Sequence, residues 1–210
     1  MAEASADCTA IFSAIYEQDH WSNGSGPGSR PYFTIEYRGF LEKFVGMNTI
    51  TSIVDIGCGD WQFSRLIHFG SVRYYGFDVV PALIEANCLR FGCSNVSFHL
   101  LPSDPSQLPK ADLLIMKDVL QHWPDCAINF YKSAVFPRFR FCLLTNSYQK
   151  LHTPHNVDIP FGNFRTLDLT AKPYLINGSY LFEHWGSEPW ERIRTLLVRC
   201  QLEGPVGSTA

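Results

Sequence analysis

The sequence predicts a doubly wound α/β fold, a mostly parallel sheet with helices on both faces. Three observations carry this expectation. Between residues 52 and 145, short apolar runs alternate with segments of helical spacing. Those runs are continuous in their apolar character, as in strands covered on both faces. The first of them ends in a glycine turn, Gly57-Cys58-Gly59. Strands separated by helices imply right-handed crossovers and therefore parallel pairing.

The elements follow in order. Residues 5–19 place Cys8, Ile11, Phe12, Ile15 and Tyr16 at helical spacing. Residues 21–29 are rich in Gly, Ser and Pro and read as a loop. A second helix is expected over 34–44, with Ile35, Tyr37, Phe40, Leu41 and Phe44 on one face. Together they form an N-terminal helical cap over residues 1–48. Then come a strand at 52–56, a helix at 61–69, a strand at 72–77, a helix at 81–91 and a strand at 96–101. A strand at 112–116, a helix at 125–134 and a strand at 139–145 complete the alternation. Beyond Gln149 the pattern stops. Residues 152–168 are rich in Pro, Gly, Asn and Asp and read as a long ordered loop, and 147–170 is expected to serve the active site. Strands at 180–184 and 193–198 should pair antiparallel at the sheet edge. The polar tail 203–210 is expected to be mobile.

Composition bounds the function. A chain of 210 residues suits a single domain spanning 1–210. The 46% hydrophobic and 18% charged content is that of a globular protein. A net charge of -3, a pI near 6.1 and no run of Lys or Arg argue against nucleic acid as a partner. No apolar stretch reaches the roughly 20 residues of a membrane span, and the first ten residues lack the pattern of a signal peptide. The seven cysteines form no CxxC pair, so reduced thiols in the cytoplasm are expected. No signal for an oligomeric state is present.

The chemistry concentrates in Val54-Asp55-Ile56-Gly57-Cys58-Gly59-Asp60-Trp61. Glycine lets the backbone approach a ligand closely. Asp78 ends the next strand, where a carboxylate accepts hydrogen bonds from ribose hydroxyls. The alternative is a tight turn followed by a helix-capping Asp. A dinucleotide fingerprint requires a third glycine where Gln62 stands. Asp60 is also a poor neighbour for a pyrophosphate. S-adenosylmethionine carries a sulfonium and an ammonium group, so Asp55 and Asp60 suit it by the sign of the charge.

Asp55-Ile56-Gly57-Cys58-Gly59, Gly76-Phe77-Asp78 and the segment from Ala111 to His122 resemble the successive motifs of class I S-adenosylmethionine-dependent methyltransferases. The likeness runs from about residue 50 to 146. It implies a seven-stranded sheet of order 3-2-1-4-5-7-6, with S-adenosylmethionine as cofactor and S-adenosylhomocysteine as its product. By this likeness Asp55, Gly57 and Gly59 border the methionine part, and Asp78 takes the ribose. Cys58 and Val79 are counted with these contacts. Lys117, Asp118 and Val119 lie under the cofactor near the methyl group. Two positions depart from the pattern. Trp61 replaces the usual third loop glycine. Pro102 stands where an acidic residue often meets the adenine, with Ser103 or Asp104 as substitutes. The flanks, residues 25–29 and Asn156-Val157-Asp158-Ile159 with Gly162 and Arg165, are similar to a subgroup of small bacterial-style methyltransferases.

Methyl transfer is an in-line displacement that needs alignment, exclusion of water and, for an alcohol or protonated amine, a base. His122, His155 and Asp158 are the candidates for catalysis. For His122 the alternative is a capping or structural role, and for the late-loop pair it is exposed polarity. His152, His155 and Asp158 offer N and O ligands, but their spacing fits no zinc pattern, so no metal is expected. Trp21, Ser29, Tyr32 and Arg165 are candidate substrate contacts. The aromatic residues could instead dock the N-terminal helices, and Arg165 could pin its loop through backbone carbonyls. With no separate recognition domain, a small-molecule acceptor methylated on O or N is the leading expectation. An RNA or protein methyltransferase and an inactive cofactor-binding partner subunit are the alternatives. An oxidoreductase using NAD is disfavoured by Asp60 and Gln62.

Overall fold

The computed structural model describes residues 2–200, with side chains from Cys8 onward. The elements are α1 (Ala2–Glu17), α2 (Ile35–Met47), β1 (Ser52–Ile56), β2 (Arg73–Asp78), α3 (Pro81–Phe91), β3 (Val96–Leu100), β4 (Leu113–Lys117), α4 (Asp125–Ala134), β5 (Phe141–Gln149), β6 (Ser179–Trp185) and β7 (Arg192–Arg199). They build one seven-stranded sheet of order β3-β2-β1-β4-β5-β7-β6. Strands β1 to β5 are parallel. β7 pairs antiparallel with both β5 and β6. The expected α/β class, strand order and antiparallel edge pair are all present. The tail 203–210 lies outside the described residues.

Alternate residues of each central strand face opposite layers. Val54, Ile56, Leu114, Met116 and Leu144 pack with Phe12 of α1 and with Ile128 of α4. Ile53, Leu113, Ile115 and Leu143 pack with Tyr37, Leu41 and Phe44 of α2. Every residue of β1 and β4 is buried, which is why these strands read as continuous apolar runs. The chain leaves β1 toward β2 and β3, then returns to place β4 on the other side of β1. That reversal opens a crevice beyond the carboxyl ends of β1 and β4.

One element differs from expectation. Residues 61–69 form no α-helix, only turns and a 3-10 segment at Ser64–Leu66. Trp61 adopts φ +57°, which no right-handed helix accommodates. Its indole is drawn into the α2 layer, with ring centroids 5.5 Å from Tyr74 and 5.1 Å from Phe98. The stabilisation of burying this large ring outweighs the weak helical spacing of the segment. β5 also runs on to Gln149, because Asn146 and Ser147 stay in register with Arg194 and Ile193 of β7.

Candidate active site

A cavity of about 710 Å³ occupies the crevice. Its floor is the loop after β1 with the ends of β2 and β4. Its walls come from α1, the Gly-Ser loop, the late loop and the β6–β7 turn.

The floor is built by backbone geometry. Gly57 and Gly59 adopt φ +76° and +56°, conformations that glycine takes without strain. The amides of Gly57 and Cys58 both donate to the Phe77 carbonyl, at 2.7 and 3.1 Å. A side chain at Gly57 would run into Val119, and one at Gly59 into Ser25 Oγ. Asp78 is buried at the edge of this turn. Its Oδ2 accepts the Gly59 amide at 3.0 Å, and its Oδ1 accepts the Val80 amide at 3.1 Å. The carboxylate therefore braces the loop and the start of α3 while lining the cavity. Burial raises its pKa. Asp55, also buried, accepts a 2.5 Å hydrogen bond from the Tyr74 hydroxyl. Desolvation lifts its carboxyl to about 7.

The Gly-Ser loop is latched onto that floor. Ser25 Oγ donates to Asp60 Oδ1 at 2.7 Å and accepts the Asp60 amide at 3.1 Å. Tyr16 Oη lies 2.8 Å from the same hydroxyl. Gln62 Nε2 donates to Asp60 Oδ2 at 2.7 Å and to the Asn23 carbonyl at 2.6 Å. Asp60 and Gln62, which disfavoured a pyrophosphate site, are thus the anchors of the loop. Lys117 Nζ donates to the Gly28 carbonyl at 3.2 Å and pairs with Asp118.

On the other side of β4 stands His122. Its Nδ1 lies 2.9 Å from the Asn163 carbonyl oxygen. A carbonyl only accepts, so in the neutral ring Nδ1 carries the proton and Nε2 keeps its lone pair. Burial lowers the pKa of this ring from 6.5, against the opposing pull of Asp118. The ring centroid is 5.0 Å from that of Trp21 and 5.6 Å from that of Phe164.

Of the residues singled out from sequence, Trp21, Ser29, Asp55, Gly57, Cys58, Gly59, Asp78, Val79, Lys117, Asp118, Val119 and His122 share this cavity. Five do not line it. Ser103 is exposed, and neighbouring Asp104 is spent capping Pro105–Gln107 through the Ser106 amide. Tyr32 is 76% exposed, because the chain turns outward between the Gly-Ser loop and α2. His155 is bound at Nδ1 to Thr166 Oγ1, 3.0 Å away. Asp158 accepts the amides of Asp125 and Ile159, at 2.7 and 3.0 Å. Arg165 is fully buried and reaches Asp125 Oδ1 at 2.6 Å, the Val157 carbonyl at 2.7 Å and the Trp123 carbonyl at 2.5 Å. Asp158 and Arg165 therefore fasten the loop to the start of α4, and His155 ties the loop to itself. Among the described residues no three His, Cys, Asp or Glu side chains converge as a metal site would need. Tyr16, Gln121, Lys150, Phe164, Glu188 and Glu191 also line the cavity. Gln121 lies in the motif-like segment from Ala111 to His122 but was not singled out; the others carry no motif, and only the tertiary fold brings them here.

The electrostatics select the ligand. Asp55, Asp60, Asp78, Asp118, Glu188 and Glu191 face Lys117 and Lys150 in the lining. This excess of carboxylate favours a cation and opposes a phosphate.

No family model and no curated protein matches this sequence. Solved structures do match. The 1,6-didemethyltoxoflavin-N1-methyltransferase of Burkholderia thailandensis, with 1,6-didemethyltoxoflavin and S-adenosylhomocysteine bound, superposes with a TM-score of 0.66 at 15% identity, over 95% of this chain and 90% of that one. The DhpI–S-adenosylhomocysteine complex gives 0.61 at 16% identity, over 95% and 98%. The N-terminal domain of EvdMO1, studied with S-adenosylhomocysteine and D-fucose, gives 0.57 at 14% identity, over 91% and 96%. The strand order, the crevice and these superpositions agree, and the chain has the fold of the class I S-adenosylmethionine-dependent methyltransferases.

Proposed function

We propose that this protein is an S-adenosylmethionine-dependent methyltransferase that acts on a small-molecule acceptor at oxygen or nitrogen. The observation that carries the reading is the carboxylate-rich cavity, floored by Gly57, Gly59 and Asp78, at the point where the strand order reverses. Three structurally similar proteins were solved with S-adenosylhomocysteine, one of them also with its small heterocycle. When bound, S-adenosylmethionine supplies an electrophilic methyl group on a cationic sulfur.

The chain's own residues do the rest. Asp78 is placed to accept from ribose hydroxyls, and the loop at 57–59 to receive the methionine part. The Gly-Ser loop, held by the Ser25–Asp60 contacts, shields the reacting centre from water. His122 Nε2 takes the proton that the acceptor's O–H or N–H loses as its new bond to carbon forms. Trp21 and Phe164 flank His122 and offer flat apolar walls to the acceptor. In this reading α1 and α2 cap a single domain and residues 147–170 serve its active site. The seven free cysteines support a cytoplasmic setting. No helix of the described residues is long and apolar enough to cross a membrane.

Release of S-adenosylhomocysteine, measured over a panel of phenols and heteroaromatic amines, tests the assignment. His122→Gln should lower kcat about 100-fold or more, while affinity for S-adenosylhomocysteine stays within about threefold. In the native enzyme the acid limb of kcat should fall below pH 6.5, the ordinary histidine value, because burial depresses the His122 pKa. That limb should vanish in the variant. Unchanged turnover or an unchanged limb removes His122 from the chemistry.

A further inference from the structure

Glu191, just before β7, is a buried carboxylate in the cavity lining, 7% exposed. It makes no ion pair among the described residues. The nearby cations are engaged elsewhere. Arg192 and Arg194 both pair with Glu183. Lys150 Nζ sits over the Phe164 ring, 5.2 Å from its centroid. The carboxylate is nonetheless held in place. Ser147 Oγ donates to its Oε1, and the Glu188 amide reaches its Oε2 at 3.4 Å. A side chain at Gly186 would overlap it, so glycine there leaves room for the carboxylate. Two neutral donors offset the burial of such a charge only in part, and a cation offsets it far better.

Gln121 adds a second unsatisfied group to the same network. It is 5% exposed and also lines the cavity. The Ser147 amide donates to its Oε1 at 2.7 Å. That contact fixes the oxygen toward β5 and leaves Nε2 without a partner among the described residues. Ser147 thus stands between a carboxylate that lacks a cation and an amide N–H that lacks an acceptor. The carboxylate lies away from the glycine loop and Asp78. Those follow β1 and end β2, whereas β7 lies beyond β4 and β5 in the sheet. Three strand spacings, roughly 14 Å, separate β1 from β7. Gln121 directly precedes His122 in the chain, so this polar corner borders the acceptor's side of the cavity.

We propose that Glu191 binds a cationic nitrogen of the acceptor, so that the substrate class is a small molecule carrying a protonated amine or amidine besides the O–H or N–H that is methylated. Gln121 Nε2 orients it by donating to a lone pair on the same molecule. This rests on the reading of the cavity as a methyltransferase site. The cationic nitrogen is not the atom methylated, because once protonated it has no lone pair to attack with. It is a handle that holds the molecule while His122 serves the neutral O–H or N–H. On a purely structural account Glu191 would only brace the β6–β7 turn through Ser147, and the charge of the acceptor would make no difference.

The test varies the charge of the acceptor and of residue 191 together. Release of S-adenosylhomocysteine by the full chain is followed with phenols and heteroaromatic amines. Each is offered in three forms, whose side chain ends in an ammonium, a hydroxyl or a carboxylate. The native chain should use the ammonium forms with a kcat/KM about 10- to 100-fold above that of the hydroxyl forms, and the carboxylate forms least. Glu191→Gln should raise KM for the ammonium forms by a similar factor and leave kcat within about threefold. It should bring the ammonium and hydroxyl forms within about threefold of each other, with affinity for S-adenosylhomocysteine changed no more than that. Glu191→Asp, which keeps the charge, should keep the native order of the forms. No preference for the ammonium forms in the native chain, a preference for the carboxylate forms, or an equal loss of all forms in Glu191→Gln overturns the inference and leaves the methyltransferase reading standing. Absence of turnover with every form, by a folded chain that binds S-adenosylhomocysteine, overturns the inference as well. A folded native chain that binds no S-adenosylhomocysteine overturns the methyltransferase reading on which it rests. Should Glu191→Gln fail to fold, the native order of the three forms decides the matter alone.

Discussion

Asp55 shows how a single buried carboxyl couples the site to stability. Desolvation raises its pKa from 3.8 to about 7, only partly offset by the Tyr74 hydroxyl and by Lys117. Between those two values the folded chain keeps a proton that the unfolded chain has released. Stability therefore falls as pH rises through that window and levels off above about 7. Asp55→Asn keeps an acceptor for Tyr74 and removes the titration. The variant should melt at the native temperature near pH 4 and several degrees above it at pH 8, read by calorimetry in both buffers. Parallel melting curves across the range would show that Asp55 does not titrate in this window. The same residue lines the cavity, so its location there is bought at the expense of stability at neutral pH.

Among the elements, the late loop depends on one cation. Arg165 has no exposed surface and joins the loop, through the Val157 carbonyl, to Asp125 at the start of α4 and to the Trp123 carbonyl just before it. Without Arg165, Asp125 keeps only the Tyr174 hydroxyl and the two carbonyls lose their charged donor, at a cost of about 1–3 kcal/mol. Arg165→Leu should accordingly lower the melting temperature markedly and speed amide exchange across residues 150–168. A variant with native melting and exchange would deny Arg165 this part. In the sequence Arg165 had two readings, an acceptor contact or a loop pin, and only its burial decides between them. β1 and β4 were legible because residues buried on both faces leave nearly continuous apolar runs. The segment at 61–69 was not. Phe63, Leu66 and Ile67 have helical spacing in the chain, but the positive φ of Trp61 and its packing on Tyr74 follow from a tertiary contact that no local pattern encodes. β5 was read short for a related reason. Asn146 and Ser147 look like loop residues, yet Asn146 accepts the Gln121 amide at 3.2 Å and the Ser147 amide donates to Gln121 Oε1 at 2.7 Å, so both remain buried in the strand.

At the scale of the whole molecule, the sheet reversal between β1 and β4 makes the crevice, and the chain's acidic residues give it its sign. The floor was visible in the sequence because glycine turns and the spaced Asp78 leave local traces. The walls were not, since α1, the late loop and the β6–β7 turn are brought together only by the closed fold. That division explains why the floor of the cavity was readable in the sequence before its walls. Both floor and walls are proposed to enclose an S-adenosyl ligand. The most direct measurement is calorimetric titration of the full chain with S-adenosylhomocysteine and, in parallel, with NAD, repeated on Asp78→Asn. One equivalent of S-adenosylhomocysteine should bind with micromolar affinity, NAD should give no heat of binding, and the variant should lose about tenfold or more in affinity. A folded native chain that ignores S-adenosylhomocysteine, or that prefers NAD, would contradict the account.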